Sequence, residues 1–290
     1  MPTERIPYKA CPLCGRKDWR DIHTTPMQRD AIVAELNLEP TITWRQCDGC
    51  GHNYTSGYWP PEILQKVCES NAGMPAEVCT DRFTWGRIVE MCIGHWRQQR
   101  KYRSCPPLLG RYDPRWLDVG CGLGTSIGAV AEYGFDVVGL EMRPAFVDLL
   151  RKCGYNVLLA SFEDFTDPDG FDVILLAEFL EHSVFPVDAL KHAKSLLCPG
   201  GTVYASCPSR GSFPWLLRDA VASGATVFTL DGQRTAGKEE SVNVVQWGQV
   251  EHYHAFDREH LELAFRKGGL QPQEFHVGRR YFETIEVIGG

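Results

Sequence analysis

The stretch Trp116-Leu117-Asp118-Val119-Gly120-Cys121-Gly122-Leu123-Gly124 decides the fold of this chain. A short apolar run leads into three closely spaced glycines, and an apolar-spaced segment, 125–133, follows them. This pattern predicts a buried strand, a turn too tight for Cβ atoms, and a helix. A second apolar run then ends in Glu141. Strand, glycine turn, helix and strand in this order predict a nucleotide-type binding site at the turn.

Two carboxylates indicate which ligand the turn binds. Asp118 ends the first strand, where it would repel a pyrophosphate but can hold an ammonium group, directly or through water. Glu141 ends the second strand, where it can accept hydrogen bonds from both ribose hydroxyls. S-adenosylmethionine combines an amino-acid head, a sulfonium and a free ribose, so it fits both acids. A nicotinamide site and a loop without ligand are the alternatives, because the glycine spacing also resembles a dinucleotide fingerprint.

The chain resembles the class I S-adenosylmethionine-dependent methyltransferases, whose motif Asp-x-Gly-x-Gly-x-Gly it matches at Asp118, Gly120, Gly122 and Gly124. The resemblance implies an α/β fold, a doubly wound, Rossmann-like seven-stranded sheet whose last hairpin contains an antiparallel strand. Alternating apolar strands and helical patterns after residue 114 favour the same architecture. The predicted strands are 115–119, 136–141, 156–159, 171–177, 201–207, 273–277 and 280–288, and the predicted helices are 124–133, 144–153, 186–197 and 257–267.

The ligand crevice of such a sheet lies at the carboxyl ends of its strands. The segment Ser161-Phe162-Glu163 follows the third strand, and we expect it to offer a backbone amide and polar side chains to the adenine edge. The predicted cofactor-binding residues are Asp118, Gly120, Cys121, Gly122, Gly124, Glu141, Met142, Ser161, Phe162, Glu163 and Ala177.

Two Cys-x-x-Cys-Gly motifs lie near the N-terminus, one at Cys11 and Cys14 and the other at Cys47 and Cys50. Four thiolates at this spacing predict a closed tetrahedral zinc site that stabilises structure and takes no part in chemistry. A redox Cys-x-x-Cys pair normally occurs singly in a thioredoxin-like setting, which disfavours that alternative. His52 is expected to be an ordinary surface or packing histidine, because four sulfurs already complete the zinc shell.

The sequence divides into a predicted zinc ribbon (1–57), a helical linker or cap (58–107) and a catalytic domain (108–290). Residues 208–250 interrupt the catalytic domain with aromatic, charged and glycine-rich stretches. They predict either a lid over the crevice or a surface excursion with its own small core. The whole arrangement looks like the zinc-ribbon methyltransferases of bacterial small-molecule and sugar pathways, whose members share the cofactor and differ in acceptor.

Glu178, Glu181 and His182 follow the fourth strand as Glu-x-x-Glu-His. The pattern resembles the metal site of ubiquinone-pathway O-methyltransferases and of small-RNA 2′-O-methyltransferases. This implies a second divalent site in which the three residues hold Mg²⁺ or Mn²⁺ and draw an acceptor hydroxylate toward the methyl group. Alternatively, His182 is a general base and Glu181 braces the site, as in metal-free relatives. His252 and His254 are further catalytic candidates, or else they brace the lid.

The charge and composition of the chain disfavour nucleic-acid and membrane partners. Lys plus Arg number 30 against 37 for Asp plus Glu, a net charge of -7, so the chain lacks the basic footprint of a nucleic-acid-binding protein. The first residues lack an apolar signal core and no run reaches the length of a membrane span, which favours a cytoplasmic protein without a membrane partner.

We therefore expect an S-adenosylmethionine-dependent methyltransferase for a small-molecule acceptor, with O-methylation favoured over C- or N-methylation. The alternatives are a nicotinamide-dependent oxidoreductase and a non-catalytic zinc-ribbon adaptor with a degenerate methyltransferase fold. The sequence pattern does not indicate the acceptor or the oligomeric state.

Overall fold

The computed structural model describes residues 3–27, 31–69, 82–102, 114–210, 250–279 and 283–290. Nearly all of the predicted insertion 208–250 lies outside these residues, as does the predicted linker boundary at Pro106-Pro107. The lid and the surface excursion therefore both stay predictions. Among the described helices, none combines the length and the apolar composition needed to cross a bilayer.

The described chain alternates strands and helices after residue 114, as the sequence pattern predicts. The strands are β1 (Ile6–Pro7), β2 (Trp19–Pro26), β3 (Thr41–Cys47), β4 (Asn53–Thr55), β5 (Gly57–Tyr58), β6 (Arg115–Val119), β7 (Asp136–Glu141), β8 (Val157–Leu159), β9 (Phe171–Ala177), β10 (Leu197–Pro208), β11 (His254–Ala255), β12 (Pro272–Arg279) and β13 (Glu283–Gly289). The helices are α1 (Ala31–Glu35), α2 (Pro61–Glu69), α3 (Arg82–Tyr102), α4 (Thr125–Glu132), α5 (Pro144–Lys152), α6 (Pro186–Ser195) and α7 (Arg258–Lys267).

A seven-stranded sheet forms the centre of the molecule, in the order β12-β13-β10-β9-β6-β7-β8. The strands from β10 to β8 pair in parallel, whereas β13 runs antiparallel to both of its neighbours. This confirms the predicted doubly wound sheet with an antiparallel strand in its last hairpin. The strand order changes direction between β6 and β9, and ligands of open α/β sheets bind at such a switch point.

The predicted boundary between α6 and β10 is wrong by several residues. We expected the helix to reach 197 and the strand to begin at 201, but α6 ends at Ser195 and β10 begins at Leu197. Leu197 already pairs with Phe171 at the start of β9, and the register shifts before Thr202. The Pro-Gly-Gly run is thus an irregularity within the strand, because tertiary pairing with β9 begins before it.

Helix α3 belongs to the core of the sheet domain. Its buried residues Ile88, Cys92 and Trp96 pack in one cluster with Trp116 of β6 and Tyr204 of β10. These apolar positions recur at helical spacing, and the helix lies inside the predicted helical linker or cap, from Arg82 to Tyr102. The helix therefore covers one face of the sheet and is more than a connection between two parts of the chain.

The N-terminal segment forms a four-stranded sheet that a distant part of the chain completes. Its order is β11-β4-β3-β2, and β11 lies more than 190 residues after β4 in the sequence. In this pairing His254 lies opposite Tyr54. The Tyr8 hydroxyl also donates a hydrogen bond of 2.8 Å to the Val184 carbonyl. The cysteine-rich segment is therefore built into the catalytic part of the molecule.

We predict that Ile88→Ala destabilises the sheet domain by about 2 to 5 kcal/mol, because Ile88 is fully buried and the truncation leaves a cavity. Arg97→Ala on the exposed face of α3 is the matched control, and its effect should stay within about 0.5 kcal/mol. Urea unfolding followed by circular dichroism measures both values. Equal midpoints for the two variants would contradict the assignment of α3 to the core.

Candidate functional site

The glycine loop has the backbone conformation that its sequence predicts. Gly120, Gly122 and Gly124 have φ values of 67°, 54° and 72°, in the left-handed region where a side chain is strained. A Cβ atom on Gly124 would also overlap the side chain of Leu150. The loop therefore presents bare backbone to the crevice, and α4 begins immediately after it at Thr125.

Asp118 lies beneath this loop at the end of β6 and is almost completely buried. The Ser126 hydroxyl in the first turn of α4 donates a hydrogen bond to its carboxylate. Cys121 is also buried, and its amide donates to the Leu140 carbonyl at 3.0 Å. Asp118 thus ties the helix to the strand and places negative charge behind the loop, whereas the amide and the carbonyl of Cys121 are both used in hydrogen bonds within the protein.

Glu141 ends β7 beside the loop, and five hydrogen bonds hold its carboxylate. It accepts bonds of 2.9 Å from the amides of Gly122, Met142 and Arg143. The Arg143 guanidinium adds two more, at 3.0 and 3.1 Å, and also lies over the Phe146 ring. The amides orient the carboxylate toward the loop. The sequence did not reveal Arg143, because the direction of its side chain is set by the turn between β7 and α5.

The segment predicted to contact adenine, 161–163, has two side chains at the surface and one that is buried. The Ser161 hydroxyl donates a bond of 3.0 Å to the Glu163 carboxylate at the surface. Phe162 is buried and meets the ring of Phe179 edge-on, with ring centroids 5.5 Å apart. Ala177 ends β9 and is half-buried beside the same crevice. Ser161 and Glu163 are therefore positioned for polar contacts, while Phe162 supports the neighbouring loop.

Glu181, His182 and His252 come together after β9, with their nearest ligand atoms within 4.8 Å of one another. The His182 and His252 rings meet edge-on with centroids 4.5 Å apart, and His182 Nε2 lies 3.9 Å from Glu181. His182 Nδ1 donates to the Glu251 carbonyl, which leaves Nε2 as the lone-pair nitrogen. Burial lowers the pKa of His182 to about 4, so its imidazole is neutral at pH 7.

The predicted metal set of Glu178, Glu181 and His182 differs from this cluster in one member. The Glu178 carboxylate accepts a hydrogen bond of 2.8 Å from the Ser206 hydroxyl of β10, and its backbone is left-handed, with φ of 52°. His252, which the sequence could place only near the site, is the third group of the cluster. The difference arises because a turn in the left-handed region redirects the chain after Glu178, a conformation that sequence spacing does not show.

His254 lies apart from this cluster, although it is only two residues from His252. Its Nδ1 is hydrogen-bonded to Nε2 of His52 at 3.1 Å, and both rings are fully buried between the two sheets. Burial lowers the pKa of His254 to about 3. His254 therefore contacts the N-terminal sheet through His52, and its two predicted roles, in catalysis and as a brace of the lid, both stay predictions.

The four N-terminal cysteines form a second cluster, in which all sulfurs lie within 4.8 Å of one another. Cys11 Sγ is 3.8 Å from Cys50 Sγ, and Cys14 Sγ is 3.5 Å from Cys47 Sγ. A tetrahedral zinc ion with bonds of about 2.3 Å requires sulfurs about 3.8 Å apart. The donor set therefore fits zinc. His260 of α7 also hydrogen-bonds the Cys50 carbonyl at 2.8 Å, so the catalytic part of the chain contacts this knuckle.

Comparison with known proteins agrees with the geometry. A family model described as a methyltransferase domain matches residues 93–274, beginning inside α3 and before the predicted domain boundary at 107. The ubiquinone biosynthesis O-methyltransferase of Serratia proteamaculans is 32% identical over 116 residues, which are 37% of this chain and 48% of that protein. The enzyme of the same name from Colwellia psychrerythraea is 29% identical over 131 residues, 42% of this chain and 53% of that one.

The chain thus spans about half the length of these curated relatives. Among solved structures, an S-adenosylmethionine-dependent methyltransferase from Clostridium acetobutylicum is similar with a TM-score of 0.47 and 13% identity, over 72% of this chain and 92% of that one. The strand order of the central sheet and the family match over more than half of the chain lead to one conclusion. The chain belongs to the methyltransferase-domain family and has the class I fold, for which S-adenosylmethionine is the cofactor.

Proposed function

We propose that this protein transfers a methyl group from S-adenosylmethionine to a hydroxyl group of a small-molecule acceptor. The observation that carries the proposal is the cluster of Glu181, His182 and His252 at the switch point of the sheet, where ligands of this fold bind. The names of the curated relatives support oxygen as the methylated atom. A cytoplasmic location remains a proposal from the sequence alone.

The proposed cofactor residues fit the chemistry of the ligand. Glu141 presents a carboxylate to the ribose hydroxyls, the bare backbone of Gly120 and Gly122 permits close approach, and Asp118 supplies negative charge for the amino-acid head. Bound S-adenosylmethionine supplies an electrophilic methyl group on a cationic sulfur. A nicotinamide cofactor fits less well, because a buried carboxylate behind the loop would repel its pyrophosphate.

His182 is the proposed general base. Its Nε2 carries the lone pair, and the Glu251 carbonyl fixes the ring by accepting a hydrogen bond from Nδ1–H. It would take the proton from the acceptor hydroxyl. Because its pKa is lowered to about 4, below the value near the operating pH that suits a general base, its contribution would lie at the lower end of the usual range, about a hundredfold in rate. Alignment of the acceptor by the surrounding walls contributes more, about 7 to 11 kcal/mol of the barrier.

A metal-assisted route is the second candidate, and the close approach of one carboxylate and two imidazoles favours it. Glu181, His182 and His252 would hold a divalent ion, which lowers the pKa of a bound hydroxyl and orients it. Mixed oxygen and imidazole donors suit Mn²⁺ better than Mg²⁺. The two routes use the same residues and differ in their response to a chelator.

We also propose that the four cysteines bind one structural zinc ion. The sulfur separations fit a closed tetrahedral shell, and the glycines that follow each pair, Gly15 and Gly51, have the left-handed φ values of 82° and 77° that let the chain turn around the metal. Because β11 completes the ribbon sheet, this zinc would stabilise the segment that carries His252 as well as the N-terminus.

Glu141→Ala should weaken binding of S-adenosylhomocysteine by about 1.5 to 3 kcal/mol, the usual loss for a hydrogen bond to a charged group. Gly122→Val should abolish binding, because its side chain would fill the space before the loop. Gly134→Val is the matched control, since Gly134 also has a left-handed φ of 79° but lies at the end of α4 away from the crevice. Calorimetry measures all three, and unchanged affinity in the first two variants would contradict the site.

His182→Asn should lower transfer of labelled methyl groups from S-adenosylmethionine to catechol or a simple phenol by about a hundredfold, as expected for loss of a general base of low pKa. His276→Asn, a half-exposed histidine on β12, is the control and should retain the rate of the unaltered protein.

Full activity of His182→Asn would contradict the proposed base. EDTA separates the two routes: turnover that persists supports the base alone, whereas turnover that stops and returns with Mn²⁺ supports the metal. Circular dichroism on the chelated sample checks that loss of zinc has not unfolded the ribbon. Labelling only of nitrogen or carbon acceptors would contradict O-methylation.

Fresh protein should contain about one zinc ion per chain, and Cys47→Ser should lose it, since structural zinc contributes about 10 to 16 kcal/mol of apparent binding energy. Hydrogen exchange should then accelerate in 53–55 and also in 253–255, because Thr55 donates a backbone bond of 2.9 Å to Tyr253. Cys153→Ser, an exposed thiol directly after the end of α5, should change neither measurement. Zinc-free protein prepared without chelator would refute the site.

A further inference from the structure

Phe179 lies between the end of β9 and the glycine loop. Its Cδ2 atom is 3.8 Å from the position that a Cβ atom would occupy on Gly120. The residue is only half-buried, and one edge contact with Phe162 supports it at nearly a right angle, 86°. An edge atom of this aromatic ring therefore lies beside the loop that carries the cofactor residues.

The chain on both sides of Phe179 is held in place. Glu178 has the left-handed φ of 52°, which costs a non-glycine residue free energy. Ser206 stabilises this turn, because its hydroxyl donates to the Glu178 carboxylate and its carbonyl accepts from the Glu178 amide at 2.9 Å. On the other side, the amides of His182 and Ser183 donate to the Phe179 carbonyl at 3.0 and 3.2 Å. Because the protein keeps this strained turn at Glu178, we infer that the position of the next residue, Phe179, matters.

The neighbours of the ring indicate which part of a ligand it meets. In the proposed function, Asp118 and Gly120 hold the amino-acid end of the cofactor and Glu141 holds the ribose. The sulfur connects these two parts covalently, so it lies between them, in the part of the crevice that Phe179 borders. A cation within about 6 Å of the centre of an aromatic ring is attracted by its face.

We propose that Phe179 is a positioning residue that recognises the positive charge on the cofactor sulfur and thereby distinguishes S-adenosylmethionine from S-adenosylhomocysteine. The inference rests on the proposed function. S-adenosylhomocysteine has a neutral thioether in place of the sulfonium, so the attraction is lost when the methyl group has left. The ring would hold the substrate form of the cofactor and release the product form more readily.

The test is the ratio of two dissociation constants, measured by calorimetry for S-adenosylmethionine and for S-adenosylhomocysteine. Phe179→Leu should weaken S-adenosylmethionine by about three- to tenfold, the range expected for a cation–π contact, and leave S-adenosylhomocysteine within about twofold. Phe179→Tyr keeps the ring and should keep the ratio of the unaltered protein. Phe185→Leu is the matched control, because Phe185 is an exposed ring of the same loop that packs against Tyr8 and Tyr58.

Equal weakening of both ligands by Phe179→Leu would overturn the inference, since it would show a packing role without charge recognition. Unchanged affinity of Phe179→Leu for both ligands would overturn it as well. Should Phe179→Leu fail to fold by circular dichroism, Phe179→Met provides the same comparison with a flexible apolar side chain. The unaltered protein is measured first: if it binds neither ligand, the proposed function itself fails, and that result is distinct from binding of both ligands with a ratio insensitive to Phe179.

Discussion

The short segment before α7 is hydrogen-bonded on both sides, and the geometry of the candidate acceptor site depends on it. On one side, the Thr55 amide of the ribbon donates to the Tyr253 carbonyl. On the other, the amides of Tyr253 and His254 donate to the Glu181 carbonyl at 2.8 and 3.3 Å. Residues two apart share a side in a regular extended strand, so His252 and His254 point apart because the chain before β11 is not a regular strand. His252 lies with Glu181 and His182, whereas His254 is hydrogen-bonded to His52 of the N-terminal segment.

This arrangement gives the four-stranded N-terminal sheet a role that a separate stabilising module would not have. The Tyr8 hydroxyl bonds the Val184 carbonyl, two residues after His182, and His260 bonds the carbonyl of a cysteine in the second knuckle. The proposed zinc ion would therefore act on methyl transfer indirectly, by fixing the sheet to which the acceptor loop is attached. Zinc with four thiolate ligands has no open coordination position, which agrees with a contribution through structure alone.

The cofactor side of the crevice is organised by backbone groups to a greater extent than by side-chain packing. Three amides orient the Glu141 carboxylate, and left-handed glycines keep the loop bare. The Arg143 guanidinium also bonds this carboxylate, and as a side-chain donor it can yield to ribose hydroxyls more readily than the backbone amides can. A carboxylate held by fixed amides needs little reorganisation when a ligand binds, which favours affinity.

The sequence alone determined the sheet, the cofactor loop and the two cysteine pairs. Each depends on local chemistry: apolar periodicity for strands and helices, glycine where φ is positive, and thiol spacing for the knuckles. Only the tertiary structure decided three features. They are the place of His252, and not Glu178, beside Glu181 and His182, the contact of Arg143 with Glu141, and the pairing of β11 with β4. Their causes are a left-handed turn at a non-glycine residue, the direction of a flexible side chain, and a strand pairing between distant segments. None of these leaves a period or a spacing in the sequence, because each depends on which surfaces meet after the chain has folded.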